Sequence, residues 1–514
     1  MISPITVSKF YSTLGNNNSL WPMALKDTSN SLGLTVGSYI TGQGAESQDR
    51  FIDEIGTQGI WLLGLPLYKM GLNWGLFKPL GLDPEVDVRV LKDPEVFEKA
   101  KKFAKITDAK YKDNNKVKKI SKSLEDITNK QKLFKGLTFG KFVAATVLTI
   151  LSYGALTDFR QKYRKDKITK EFYEKEAQKN KDTFVKASTQ AKTQQTSKTE
   201  SVQNNKDTDA NNAKTTTNAN GNKNTNGKPN FTGLHNIQDF MFSPVKNLMI
   251  VDGAITTERL AKAQNKQELM GYAIKEGSFW VFMYLAGAKI KSMLENHSLK
   301  KHNIPIDLDA RVIECEELKN ALLNNEIMHN VNQFPVGKPS GAEIYEFVNT
   351  NPDNLIVKMA KQCDIIPTLK NTEPTKEKNV MLRAIDNRKF IDPEEVKGMK
   401  DKLTLLYNKG QEFIQKEITA AKEKAKASGE EFKEFTPEDK LKALSKYLDK
   451  VKKGNRGATL KNIGACIGFL GVLMPAMIVG WRFMDKENKD YQVRTEIENQ
   501  LKAEMEKNKT QQAK

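Results

Sequence analysis

The sequence predicts a mainly α, membrane-anchored helical protein with two transmembrane helices, up to four, and a helical extramembrane domain. Three observations predict it. A 19-residue stretch near the carboxyl end, Ile463–Trp481 (IGACIGFLGVLMPAMIVGW), carries no charge. A shorter apolar stretch, Phe142–Leu156, is bordered by Lys141 on one side and by Asp158 and Arg160 on the other. Elsewhere the chain is rich in helix starts and helical periodicity.

The first stretch makes a helix of about 28 Å at 1.5 Å per residue, close to the roughly 30 Å of a hydrocarbon core. Lys461 precedes it, and Trp481 and Arg482 close it in the manner of an interface. A soluble helix rarely stays apolar on every face. The second stretch contains Thr146, Thr149 and Ser152, whose hydroxyls can bond back to helix carbonyls and are tolerated in lipid. The expected transmembrane helices are thus 140–158 and 461–483.

Two weaker apolar stretches, Gly59–Leu67 and Gly277–Ala288, open short apolar helices at 59–81 and 277–290. They are short for a crossing and suit an interfacial or re-entrant helix equally. Trp61, Trp280, Trp481, Arg482, Lys141 and Arg160 are the expected membrane-interface residues.

Composition agrees with anchoring and excludes several classes. Of 514 residues, 82 are Lys or Arg and 63 Asp or Glu, a net charge of +19. Three Cys exclude a disulfide framework and a Cys-rich zinc module. His235, His297, His302 and His329 have no metal-ligand spacing. No basic start followed by an apolar run opens the chain, so no cleavable signal peptide is expected. Basic clusters at 116–141, 160–175 and 446–461 abut apolar segments, which fits anionic lipid headgroups. Nucleic acid is disfavoured, because no basic groove interleaved with aromatics is visible.

Residues 182–230 read as a disordered Thr/Asn/Lys-rich linker, with Val202 the only aliphatic residue larger than Ala between 186 and 229. The halves it separates resemble each other. Trp21-Pro22 corresponds to Ser243-Pro244 and Val86–Leu91 to Leu308–Ile313, both at an offset of 222; Trp61 corresponds to Trp280 at 219. Lys135-Gly136 corresponds to Arg456-Gly457 and Phe159-Arg160 to Trp481-Arg482, at 321 and 322. Collinear matches with one jump of about 100 residues predict an internal duplication with an insertion.

The organisation that follows is an N-terminal region (1–58), a first repeat (59–181), the linker, the start of a second repeat (231–313), a helical inserted domain (314–456), the last span, and a charged helical tail (484–514). In the insertion, Ser340-x-x-Glu343 is a capping box, and Asp392-Pro393-Glu394 and Thr436-Pro437-Glu438 place Pro just after a cap. From Val396, apolar residues recur with helical period through Met399, Leu403, Leu406 and Ile414, a pattern compatible with a coiled coil. The runs 87–91 and 309–313 read either as one strand per half or as helix lead-ins.

Chemistry is sparse. Thr41-Gly-Gln-Gly44 lacks the third glycine of a dinucleotide fingerprint. No nucleophile has a base at a telling spacing, so no catalytic residue, cofactor or metal is expected. Gly464, Gly468 and Gly471 line one face of the last span, allowing close helix packing, and Pro475 kinks it. The expected function is a non-enzymatic membrane scaffold or adaptor with a lipid-facing basic surface, and a partner protein or a second copy on its helical domain. The alternatives are a small two-repeat transporter or channel component and a peripheral membrane enzyme. The Asn- and Lys-rich usage suggests a bacterial source and an inner-membrane location.

Overall fold

The computed structural model describes residues 4–16, 19–40, 44–111, 114–163, 243–261, 266–370 and 379–484; the linker and the tail beyond Met484 lie outside them. The described residues are mainly helical, with no strand among them beyond an isolated bridge from Thr368 to Ile385. The first half runs α1 (Pro4–Gly15), α2 (Leu20–Ile40), α3 (Gly44–Gly59), α4 (Leu65–Leu72), α5 (Pro94–Lys110), α6 (Asn115–Thr128) and α7 (Gln131–Tyr163). The second runs α8 (Pro244–Ala261), α9 (Lys266–Trp280), α10 (Ala286–His302) and α11 (Ala310–Ile313). It continues with α12 (Glu316–Leu323), α13 (Glu326–Asn332), α14 (Gly341–Thr350), α15 (Leu355–Gln362), α16 (Pro393–Ser428), α17 (Pro437–Gly468) and α18 (Met474–Met484).

Several of these helices join end to end through π turns. Ile60–Gly64 links α3 to α4, Asn73–Phe77 follows α4, Val281–Leu285 links α9 to α10, and Phe469–Leu473 links α17 to α18. Three of the four stand just before a proline: Pro66, Pro79 and Pro475. A proline cannot donate to the carbonyl four residues back, and its ring pushes that carbonyl away; a wider turn absorbs the displacement. The expected kink at Pro475 takes this form.

One helical domain is built from both halves. Phe77, Val88, Phe97, Leu124 and Phe134 share a core with Leu318, Tyr345, Ile356, Leu403 and Tyr447, so the insertion packs on residues of the first half. The expected capping box forms at Ser340 with Glu343; Thr436, expected only as a cap before Pro437, makes a second box with Asp439, and Gly429 ends α16 at φ +70°. The runs 87–91 and 309–313 are single helical turns. Asp87 caps the first by accepting from the Arg89 amide, and Asp309 caps the second from Arg311. In each, the arginine folds back onto the capping carboxylate, which competes with any extended pairing.

Asp386-Asn-Arg388 repeats that turn inside the domain. There Arg388 also reaches Asp83 of the first half at 2.7 Å, and its carbonyl accepts from the Asp87 amide at 2.9 Å. Burial would raise the Asp83 carboxyl. Bonds from Ser123, the Glu85 amide and Arg388 outweigh it and hold the group below the usual carboxylate range.

Above the domain stands a helix bundle. Two helices of the chain are long and apolar enough to cross a membrane: Gln131–Phe159, and the continuous rod Pro437–Gly480. Among the described residues, 22% and 28% of their apolar windows are buried. Helix directions follow from contacts. Trp61 meets Asp27 and Gln58 meets Thr28, so α2 and α3 are antiparallel. Phe77 meets Phe134 and Gly56 faces Leu156, so the α3–α4 rod and α7 are antiparallel. In the second half Tyr284 meets Asp252 and Trp280 meets Thr256, while Phe282 stacks on Phe469 and Ile306 lies against Gly454. The two halves therefore share one up–down–up order, in α2, α3–α4 and α7 and in α8, α9–α10 and α17–α18.

Candidate functional site

The helix-packing residues expected from sequence divide into two groups. Gly471 and Pro475 pack on α2, where Gly33 and Gly37 have the small-x-x-x-small spacing. A Cβ at Gly33 would stand 2.2 Å from the Gly471 carbonyl oxygen, the very carbonyl that Pro475 displaces. Gly464 and Gly468 face open space among the described residues.

The expected interface residues also divide. Lys141 donates to Asn73 at 3.0 Å and lies over the Phe77 ring, tying α7 to the end of the α3–α4 rod. Trp61 is buried, its indole N–H turned inward onto Asp27 at 3.2 Å. Trp280 is half-buried and donates to Thr256 at 3.2 Å. The side chains of Arg160, Trp481 and Arg482 lie outside the described residues.

Those two tryptophans lead to a polar network that sequence reasoning missed. On α2, helical geometry at 100° per residue turns Lys26, Asp27, Asn30 and Ser31 to the bundle interior, and all four are buried. Asp27 accepts from Trp61. Ser31 donates to the Asp27 carbonyl at 2.9 Å and to Glu54 of α3 at 3.4 Å, and accepts from Gln58 at 3.1 Å. Lys26 turns the other way, to the Met283 carbonyl at 3.4 Å.

The second half builds the same figure. Asp252 of α8 accepts from the Tyr284 hydroxyl. Thr256, one turn on, donates to Glu276 of α9 at 3.3 Å and accepts from Trp280. By their bonds Asp27 compares with Asp252, Ser31 with Thr256, Glu54 with Glu276 and Gln58 with Trp280, so Trp280 takes the place of Gln58 and not that of Trp61, with which the sequence pairs it. Lys275 joins the two figures, 2.9 Å from Glu54 and 3.9 Å from Glu276.

The sequence does carry a trace of this. Glu54 and Glu276 stand 222 apart, the offset of the proline match, whereas Asp27 and Asp252 stand 225 apart. An ungapped comparison aligns the glutamates and hides the aspartates.

Two buried amides complete the site. Asn30 is 2% exposed, and its Oδ1 has no hydrogen-bond partner among the described residues. By helical angle it projects between Lys26 and Asp27, toward the middle of the bundle. Asn247 of α8 is fully buried, and neither side-chain amide atom has a hydrogen-bond partner among the described residues. It precedes Val251 by one turn, on the face that packs against Ile60 and Tyr153, away from Asp252.

No three His, Cys, Asp or Glu side chains among the described residues are grouped to hold a metal ion. Searched against family models, curated proteins and solved structures, the chain matches none.

Proposed function

We propose that this chain is an integral membrane protein built from two copies of a three-helix unit, and that the polar network between them is the working site of a small transporter or channel component. One observation carries the reading. Lys26, Asp27, Glu54, Lys275 and Glu276 are gathered inside a bundle whose outer surface is apolar. Leu63, Leu67, Met70 and Trp74 of the α3–α4 rod are exposed, as are Val147, Leu151, Val281, Leu285 and Val472. Charges in such a place are expensive and mark pathways or relays by default.

Like orientation of the halves corresponds to repeats related by an axis along the membrane normal, an arrangement found in transporters with binding sites at the repeat interface. The scaffold reading retains the helical domain as a partner surface and the basic clusters as contacts to anionic headgroups. It supplies no reason to gather Asp27, Glu54, Asp252 and Glu276 beside Lys26 and Lys275 in such a bundle.

The direction of the helices adds a constraint. α7 ends and α8 begins at opposite ends of the bundle, and the sequence between them is too polar for a lipid-exposed crossing. The apolar girdle must therefore open to water or to protein on one side. The face of α8 is the less apolar one: it exposes Lys246 and Thr257 beside Ile250, where α2 exposes Trp21, Leu25, Leu32 and Val36.

Reconstitution tests the proposal. The chain should stay with membranes through carbonate extraction. In sealed vesicles it should dissipate an imposed sodium, potassium or proton gradient faster than empty vesicles do, with the gain lost in Glu54→Gln. Release by carbonate, or flux at the empty-vesicle rate for all three ions, sinks it.

A further inference from the structure

We infer that Lys69 and Lys141, at the foot of the bundle beside the Asn73 amide, hold the phosphate of an anionic lipid headgroup. The inference goes beyond the transport reading and takes from it only the apolar setting of the bundle.

Position is the first argument. The α3–α4 rod enters the helical domain at Phe77 and α7 leaves it at Phe134, and the two rings meet in the domain core. Lys141 lies about two turns along α7 from Phe134, and Lys69 about two turns before Phe77. Both lysines therefore stand where the rods emerge from the domain. Above them, Leu63 and Leu67 of the rod and Val147 and Leu151 of α7 are exposed. Trp74 is exposed near the same level, with the Lys78 ammonium 5.7 Å from its ring. An apolar surface that gives way to Trp and Lys is the pattern of a headgroup layer.

The missing counter-charge is the second argument. Lys69 is half-buried, with no hydrogen bond and no ion pair among the described residues. Its carbonyl accepts from the Asn73 amide, so the two side chains stand one turn apart on one face. Asn73 Oδ1 accepts from Lys141 at 3.0 Å, which brings a second ammonium to that face, close enough for the two lysines to repel. Lys389 adds a third positive charge beside Lys141. Among the described residues the carboxylate that acts on Lys141 is Glu85, and Glu85 is 2.7 Å from Lys389. Three lysines thus share one glutamate at the edge of an apolar bundle, where unpaired charge is costly. A phosphate answers two ammonium groups with several charge-assisted bonds, and anionic lipid presents one at this level.

The second half of the chain shows what the first lacks. The residues 222 on from Lys69 and Asn73, at the offset of Glu54 and Glu276, are Lys291 and Glu295. There the lysine has a carboxylate one turn on, at 3.7 Å. The first half has the lysine and, in place of the acid, a neutral amide. One phosphate per chain follows, at the Lys69 end.

The experiment uses the full chain in a nonionic detergent and counts bound lipid by native mass spectrometry. Phosphatidylglycerol is titrated against phosphatidylcholine of the same acyl chains, whose choline cancels the phosphate charge. One phosphatidylglycerol per chain should be retained in preference. Lys69→Gln and Lys141→Gln should each weaken its retention at least about tenfold, the loss of one charge-assisted bond, while Lys424→Gln, exposed on α16, leaves it unchanged. Asn73→Glu copies the pair at Glu295 and should lose the lipid without a lower thermal midpoint. If Lys141→Gln does not fold, Lys69→Gln and Asn73→Glu carry the test. Equal retention of the two lipids, or parent-level retention in the lysine variants, overturns the inference. Displacement of the lipid by inorganic phosphate at equal concentration overturns it too, because the site would then take the free anion. Selective retention without vesicle flux refutes the transport reading alone; flux without lipid selectivity refutes this inference alone.

Discussion

The helical domain and the bundle above it both bury apolar clusters, but the bundle adds a row of buried polar groups on α2 and α3 and exposes large apolar ones. The domain hides Phe77, Phe97, Leu124, Tyr345 and Leu403 and turns lysines and glutamates outward. The bundle hides Lys26, Asp27, Asn30, Glu54 and Gln58 and turns Leu63, Trp74 and Val472 outward, the last two 71% and 69% exposed. Each apolar side chain buried from water contributes roughly 1.5–3 kcal/mol, so the domain gains from its core in the ordinary way. The bundle gains no such term from its polar interior. Its outward leucines and valines would cost a comparable amount each in water, and only lipid or another apolar surface relieves that. On the transport reading one chain would carry two solvent environments, with the change where α4, α7, α10 and α17 leave the domain.

The sharpest way to break this comparison is to ask what solvent each bundle face meets. Leu32 of α2 and Thr257 of α8 stand 225 residues apart, the offset that matches Asp27 to Asp252, and both are exposed. With Cys315, Cys363 and Cys466 replaced by serine, Thr257→Cys in vesicles should react fully with a membrane-impermeant maleimide, and Leu32→Cys should stay protected until detergent is added. Rapid labelling of Leu32→Cys would mean that water bathes both faces and that no bilayer surrounds the bundle.

The domain should behave as a soluble core does. Arg388 is its most consequential charge, since it holds Asp83 at 2.7 Å and Asp386 at 2.8 Å in a nearly closed site. Arg388→Ala takes the close ion pair from two buried carboxylates, leaving Asp83 with Lys119 at 3.9 Å and its Ser123 and Glu85 bonds, and the expected loss is about 3 kcal/mol, read as a lowered thermal midpoint of the domain. The pH dependence has a definite sign. Asp83 is held below its usual range, so its contribution is present above about pH 4 and disappears as acid protonates it. In Arg388→Ala that acid limb should flatten, while Trp61 emission from the bundle stays as in the parent. An unchanged midpoint would show that the pair does not join the two halves.

Legibility in the sequence followed the same division. Capping residues act locally, so Ser340, Asp392 and Thr436 announced their helices, and the period from Val396 announced α16. The two apolar rods were legible because an uninterrupted apolar run needs no partner to be recognised. The single turns at 87–91 and 309–313 were ambiguous: Val-x-Val alternation looks like a strand until the Asp-x-Arg turn is seen to consume the backbone donors. The polar network was not legible. Lys26 and Asp27 sit in a stretch of average polarity, and Glu54 stands among other charges. Only the packing of α2 on α3, and of α8 on α9, turns those residues inward together. The inward bonds of Trp61 and Trp280 were not legible, because an indole flanking an apolar run has the same pattern whether its N–H meets headgroups or a side chain inside the bundle.

The smallest effect probes how the halves are joined. α2 reaches across to the rod of the second half through Gly33, against the Gly471 carbonyl that Pro475 pushes out of its helical bond. A methyl group there would overlap that oxygen, at 2.2 Å, and neither partner is a flexible side chain that could yield. Gly33→Ala therefore has to separate the helices, at a cost of about 1–3 kcal/mol typical of overpacking. Gly468→Ala, on the same rod but facing open space, should gain a few tenths to about 1 kcal/mol from helix propensity alone. The two substitutions are chemically identical, so opposite signs in the detergent-solubilised thermal midpoint isolate the contact itself. If both stabilise, α2 does not lie against the Gly471 carbonyl, and the inward placement of Asp27 and Asn30 falls with that contact.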